Sequence, residues 1–135
     1  MDDIVLVWDL NGVIFKKYQI DSDTMKIVKR LNELGHTQYI FTNTKLKRFR
    51  EISPKLMELQ YFKNIFSTVE NHTYKPSPKA YKFLLGKIQN KTIYFIDDSP
   101  KNIQVAQKHG IKGIRYINDI QLVEDLKLLN LYHDN

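Results

Sequence analysis

Short apolar runs alternate along this chain with longer stretches in which apolar residues recur every three or four positions. The runs are typical of strands covered on both faces, and the stretches are typical of amphipathic helices. We predict five strands, within residues 4–8, 37–41, 65–69, 91–97 and 113–117. We predict helices over about 22–34, 45–59 with a kink or division at Pro54, 77–88, 100–110 and 119–131.

Strands that are separated by helices of this length form right-handed βαβ units and a parallel sheet. We therefore predict an α/β fold: a single Rossmann-like, three-layer domain over residues 1–135 with a five-stranded, mostly parallel sheet. Ligands of such sheets bind beyond the carboxyl ends of the strands. The side chains at those ends are the candidates for function.

Polar residues follow three of the predicted strands. The first strand runs into Asp9 and then Asn11-Gly12, a pair that also suits a tight surface hairpin. Thr42 ends the second strand, and Asp97 and Asp98 end the fourth. Each of these residues alone fits a turn or a helix cap. Because they share one edge of the sheet, we expect them to form a site.

The composition indicates the class of protein but does not identify a binding partner. Apolar residues make up 42% and charged residues 27%, which fits a globular domain, and no cysteine is present for thiolate chemistry. The apolar run near the start is too short for a signal peptide or a membrane span, so we expect a cytoplasmic protein without membrane partners. The net charge is +6. The basic run Lys45, Lys47, Arg48 and Arg50 fits either a solvated helix face or a contact with nucleic acid.

Clustered carboxylates favour a particular chemistry. Several carboxylates together repel one another and need a cation, and an all-oxygen set of ligands suits Mg²⁺. A carboxylate can attack phosphorus, while cations, hydroxyls and backbone N–H groups hold the other phosphoryl oxygens. Lys75, in "YKPSPKAY", is the candidate cation.

The order Asp9, Thr42, Lys75, Asp97-Asp98 resembles the haloacid dehalogenase superfamily, which is dominated by phosphatases with an aspartate nucleophile. Four segments resemble its four motifs, over nearly the whole chain: "VWDLNGVIF", "YIFTNT", "YKPSPKAY" and "IYFIDDSPKNIQVAQKHGI". The resemblance implies that Asp9 attacks phosphorus, that Thr42 and the Asn43 backbone bind the phosphoryl group, and that Lys75 neutralises it.

The same resemblance implies a metal site. Asp98, helped by Asp97, would hold Mg²⁺, and Asp9 with the backbone carbonyl of Asn11 would complete the protein ligands. Asn102 is expected to help cap the helix after the fourth strand and to steady Asp98 or Lys75.

Asn11 departs from the family pattern. Phosphatases that this chain resembles typically carry a second aspartate two positions after the nucleophile, where it protonates the leaving group and then activates water. An amide cannot move that proton, and positioned acid–base catalysis contributes about 10²–10⁴-fold in rate. Three interpretations stay open: a natural variant with weak or specialised activity, a natural pseudoenzyme, or an aspartate replaced deliberately.

The spacing of the motifs predicts an open site. About 32 residues separate Asp9 from Thr42 and Thr42 from Lys75, which is less than the ~50 residues of a small domain. No cap domain is therefore expected. An open site admits a phosphorylated protein or nucleic acid, and a small phosphorylated metabolite also stays possible.

The sequence therefore predicts a Mg²⁺-dependent phosphomonoesterase that works through an aspartyl-phosphate. A phospho-ligand binding or regulatory module on the same fold is the alternative. A signalling receiver domain fits poorly, since its acidic pair should follow the first strand. A dehalogenase fits poorly because no cap would enclose the organic halide.

Overall fold

The structure is a computed structural model that describes residues 3–52 and 60–134. Strands and helices alternate along it. The strands are β1 (Ile4–Trp8), β2 (Phe15–Lys16), β3 (Gln19–Ile20), β4 (Thr37–Thr42), β5 (Asn64–Ser67), β6 (Thr92–Asp97) and β7 (Lys112–Arg115). The helices are α1 (Ser22–Glu33), α2 (Leu46–Ile52), α3 (Pro78–Lys87), α4 (Pro100–Lys108) and α5 (Asp119–Leu128).

Five of the strands form one sheet in the order β5-β4-β1-β6-β7, and all neighbouring pairs are parallel. The predicted α/β class and the five-stranded parallel sheet are confirmed. In the central strand, Trp8 is in register with Ile40 of β4 and Ile96 of β6. The residues that follow these three positions therefore emerge together at the carboxyl edge of the sheet.

Apolar side chains cover both faces of the sheet. Successive residues of a strand point to opposite faces, so Leu6 and Trp8 pack on one side while Val5 and Val7 pack on the other. The first side is completed by apolar residues of α1 and α5, and the second by those of α3 and α4. This arrangement gives the three predicted layers. Among the described residues, no helix is both long and apolar enough to cross a bilayer.

Between Asp9 and α1 the chain forms a small antiparallel hairpin, β2–β3, which was not predicted from the sequence. Two-residue strands carry no measurable alternation of polar and apolar positions, so the pattern could not reveal them. Lys16 of this hairpin donates from Nζ to Thr24 Oγ1 at 2.9 Å and to the Tyr116 hydroxyl. Its Nζ also lies 3.8 Å from Asp119 Oδ1. These contacts attach the hairpin to α1 and α5.

Several element ends differ from the predicted ones. The strand predicted over 65–69 spans Asn64–Ser67, and Val69–Asn71 forms a 3₁₀ turn. The chain turns there because the Val69 N–H donates to the Ser67 hydroxyl at 3.3 Å and the Asn71 N–H donates to the Thr68 carbonyl at 3.0 Å. The last helix ends at Leu128 rather than 131. The predicted kink at Pro54, and the end of the second helix, lie outside the described residues.

Candidate active site

The predicted site residues meet at the carboxyl edge of the sheet. Asp9 and Asp97 lie at the ends of β1 and β6, and Asp98 is the next residue along the chain. One carboxylate oxygen from each of the three lies within 4.8 Å of the others. Lys75, from the loop before α3, enters the same cluster. Residues that are far apart in the sequence are therefore brought together as predicted.

Lys75 places a buried positive charge between two of the carboxylates. Its side chain is 1% exposed, and Nζ lies 2.8 Å from Asp9 Oδ1 and 3.2 Å from Asp97 Oδ2. The same ammonium donates to the Phe41 carbonyl at 2.9 Å. The Phe95 ring adds a cation–π contact at 5.0 Å. A buried ammonium requires such partners, so its position is tightly determined.

Asp97 is fully buried and is held by several donors. The Ser99 N–H donates to its Oδ1 at 2.8 Å, and the Asn102 side-chain amide donates to its Oδ2 at 3.0 Å. Asn102 was expected to steady Asp98 or Lys75; it contacts Asp97 instead, because the first turn of α4 lies directly over that carboxylate. Asp97 thus orients Lys75, while the neighbouring Asp98 side chain is exposed.

Gly12 gives Asp98 the room to approach the loop after β1. A Cβ atom at Gly12 would lie 2.3 Å from Asp98 Oδ2, and the φ angle of Gly12 is +85°. Glycine meets both requirements, since it has no Cβ and adopts positive φ without strain. The Asn11-Gly12 turn, which the sequence left open as a surface hairpin, is therefore part of the site.

Thr42 is the last residue of β4, and Asn43 begins the loop that leads to α2. The Thr42 hydroxyl accepts a hydrogen bond from the Thr44 N–H at 3.0 Å. Asn43 Oδ1 accepts from the Lys75 N–H and from the Thr68 hydroxyl, both at 2.8 Å. The Asn43 side chain thus fixes the segment that carries Lys75. Thr68 was not identified from the sequence, which gave no signal for it.

Asn11 connects the loop after β1 to the loop after β4. Its side-chain amide donates to Thr44 Oγ1 at 2.7 Å, and Asn11 is exposed. Thr44 was also not singled out from the sequence, although it follows the predicted Thr42-Asn43 pair directly.

The electrostatics of the cluster favour a bound cation. Burial raises the pKa of Asp9 to about 7, against the opposing effect of the Lys75 charge, and the charge of Asp97 raises it further. Burial and the charge of Asp97 also raise the pKa of Asp98. Three converging carboxylates with one ammonium leave an excess of negative charge. An all-oxygen set with an exposed member suits Mg²⁺, which usually keeps several waters.

Comparison with known proteins gives the family. The family model for haloacid dehalogenase-like hydrolases matches residues 8–116. A search of curated proteins gave no match. Among solved structures, the core domain of a predicted phosphoglycolate phosphatase from Streptococcus pneumoniae TIGR4 is 28% identical, with a TM-score of 0.64 over 87% of this chain and 82% of that one.

Two further structures share the fold. An uncharacterized protein from Corynebacterium glutamicum ATCC 13032 Kitasato has a TM-score of 0.72 at 20% identity, with both chains fully covered. A haloacid dehalogenase family enzyme from Bacteroides thetaiotaomicron, in complex with magnesium and inorganic phosphate, has a TM-score of 0.61 at 23% identity. That match covers 72% of this chain and 52% of the other. Because the family model spans most of the sequence, this chain belongs to the haloacid dehalogenase-like hydrolase family.

Proposed function

We propose that the protein is a Mg²⁺-dependent phosphohydrolase that works through an aspartyl-phosphate formed on Asp9. The observation that carries this proposal is the Lys75 ammonium, 2.8 Å from Asp9 Oδ1, beside two further carboxylates. The relative from Bacteroides thetaiotaomicron binds magnesium and inorganic phosphate, which supports the same ligands here.

The residues present fit a magnesium ion. Asp9, Asp98 and the Asn11 carbonyl would hold it, with Asp97 behind them. The lack of a Cβ at Gly12 leaves the Asp98 carboxylate free to reach the cluster. When bound, the ion supplies positive charge that offsets the carboxylates and the phosphoryl oxygens.

Residues of the protein supply the nucleophile and the groups that stabilise the phosphoryl oxygens. A carboxylate oxygen of Asp9 attacks phosphorus, the new O–P bond forms, and the bond to the leaving group breaks. Lys75, the Thr42 hydroxyl and the Asn43 N–H stabilise the phosphoryl oxygens. Water then attacks phosphorus and loses a proton to solvent, the bond to Asp9 breaks with its electron pair returning to the carboxylate, and phosphate is released. Lys75 also favours the ionised form of Asp9, since its charge opposes the larger effect of burial on the Asp9 pKa.

We propose that the chain forms a single domain with an open site. The interval between Asp9 and Thr42 is occupied by the hairpin and α1, and that between Thr42 and Lys75 includes α2 and β5. Neither interval has the ~50 residues that a cap domain needs. The site would admit a phosphorylated metabolite or the phosphate of a macromolecule.

A binding or regulatory module is the second candidate function. The observation that favours it is Asn11, whose amide occupies the position of the acid–base aspartate that the family resemblance implies. Such a module would bind phosphate at the same residues without turning it over.

Release of phosphate from p-nitrophenyl phosphate with Mg²⁺ separates the two candidates. We expect slow turnover that is lost in D9N and in EDTA. The control D23N changes an exposed carboxylate of α1 and should keep the wild-type rate. Absence of turnover in both the wild type and N11D would favour the binding module.

A further inference from the structure

Within residues 3–52 and 60–134, the side chains around Asp9 provide no proton for a leaving group. The titratable groups that converge in the site there are Asp9, Lys75, Asp97 and Asp98. Asp9 is the proposed nucleophile, and Lys75 is buried between Asp9 and Asp97. Asp97 is fully buried and accepts from Ser99 and Asn102 as well as from Lys75. Asp98 is the proposed metal ligand, so each group is already engaged.

Asn11, two residues after Asp9 along the chain, has an exposed amide side chain. Its Nδ2 donates to Thr44 Oγ1 at 2.7 Å, and an amide does not titrate. A leaving group must therefore depart as an anion that is stable without a proton from the protein. The alkoxide of an alkyl phosphate is too basic for this. A phosphate, a carboxylate or an acidic phenol meets the requirement.

A second feature selects among these leaving groups. Thr44, the partner of Asn11, is followed by the exposed cations Lys45, Lys47 and Arg48. Phe49 faces the core of the domain, so the basic side chains on the other faces of α2 are exposed to solvent. The first turn of α2 contains no acidic residue. Cations near the start of a helix oppose its dipole, and at this end of α2 the Glu70 carboxylate accepts from the Leu46 N–H at 3.3 Å. Arg48 also lies 3.7 Å from Glu51.

We infer that the substrates are phosphoanhydrides, in which the leaving group is itself a phosphate-bearing anion. The inference rests on the proposed function. The leaving phosphate needs no proton, and its extra negative charges match the basic residues beside Thr44. Asp9 attacks the terminal phosphorus, and the bridging P–O bond breaks with its electron pair going to the shortened chain. Water then splits the bond to Asp9, and its proton passes to solvent.

The first experiment compares leaving groups at constant free Mg²⁺. We expect kcat/KM for tripolyphosphate or for a nucleoside triphosphate to exceed that for glycerol phosphate by at least about 100-fold. Comparison of the two anhydrides shows whether a nucleoside contributes. N11D should raise kcat for glycerol phosphate by about 10²–10⁴-fold. N11A, which cannot deamidate to aspartate, should keep the wild-type preference for the anhydrides.

The second experiment tests the basic residues. The triple variant K45A/K47A/R48A should raise KM for tripolyphosphate by about tenfold. KM for acetyl phosphate should rise far less, because its leaving group lacks the extra negative charges of a phosphate. Added salt should act on KM in the same way as the substitutions, since it screens exposed charges. The matched control K29A/K63A/K108A removes the same charge from exposed positions away from this edge and should leave both constants near wild type.

The outcomes separate this inference from the proposed function. Equal kcat/KM for glycerol phosphate and tripolyphosphate in the wild type would overturn the inference and leave the phosphohydrolase intact. An equal effect of the two triple variants on KM for tripolyphosphate would also overturn it. Lack of turnover of every substrate, in both the wild type and N11D, would refute the proposed function itself.

Discussion

The Lys75 ammonium lies 2.8 Å from Asp9 Oδ1, and both residues are buried. This pair joins the loop before α3 to the central strand of the sheet. The pair also affects the charge state of the proposed nucleophile, because the Lys75 charge lowers the Asp9 pKa while the larger effect of burial raises it. The stability of the fold and the proposed activity should therefore depend on the same contact.

Replacing Lys75 should lower both the free energy of unfolding and the phosphatase activity. K75M leaves Asp9 and Asp97 without their shared cation, and loss of one partner of a buried pair costs about 3–5 kcal/mol. We expect the free energy of unfolding, measured in urea at pH 8, to fall by that order and phosphatase activity to be lost. K82M, at an exposed position of α3, is the control and should behave as wild type. Unchanged stability of K75M would contradict the buried pair.

The Asp9 pKa predicts a pH dependence in the metal-free protein. Burial raises it from 3.8 to about 7, so the folded state retains a proton that the unfolded state has lost between these values. The free energy of unfolding should therefore fall as pH rises from about 4 to 7. The amide introduced by D9N does not titrate, so the free energy of unfolding of this variant should lack the pH dependence that Asp9 contributes. The difference between the wild-type and D9N curves measures that dependence. Parallel stability curves in EDTA would disprove the assignment.

Mg²⁺ should stabilise the folded protein through Asp98. We expect the wild-type Tm to rise with Mg²⁺ concentration, because a ligand of the folded state stabilises it by mass action. D98N should weaken Mg²⁺ binding at least about tenfold in calorimetric titration. Since Asp98 is exposed, the fold should persist without its charge. D23N provides the matched exposed control, and equal affinities in the two variants would contradict the site.

Two glycines with positive φ allow the role of Gly12 to be isolated. A Cβ at Gly12 would meet Asp98 Oδ2 at 2.3 Å, whereas nothing lies within 4 Å of a Cβ at Gly35. Both G12A and G35A should lose about 1 kcal/mol of stability from the strained φ angle. G12A alone should also weaken Mg²⁺ binding, which calorimetric titration can measure. If G35A weakens it equally, the close approach at Gly12 is irrelevant.

The sequence predicted the sheet and the convergence of the site well, for a physical reason. Buried parallel strands carry continuous apolar runs, and the polar residues at their ends, such as Asp9 and Asp97, must share one edge. It could not predict the contacts of Thr44, Thr68 or the Asn102 side chain. These hydrogen bonds join loops whose relative positions depend on packing of the whole sheet, and threonine or asparagine in a loop has many local partners.

The hairpin between Asp9 and α1 is held in place by Lys16, which contacts Thr24, Tyr116 and Asp119. Closure of the hairpin over Asp9 as a lid would require that these contacts break. In the open site that we propose, shielding of the reaction from bulk water would therefore fall to the bound substrate.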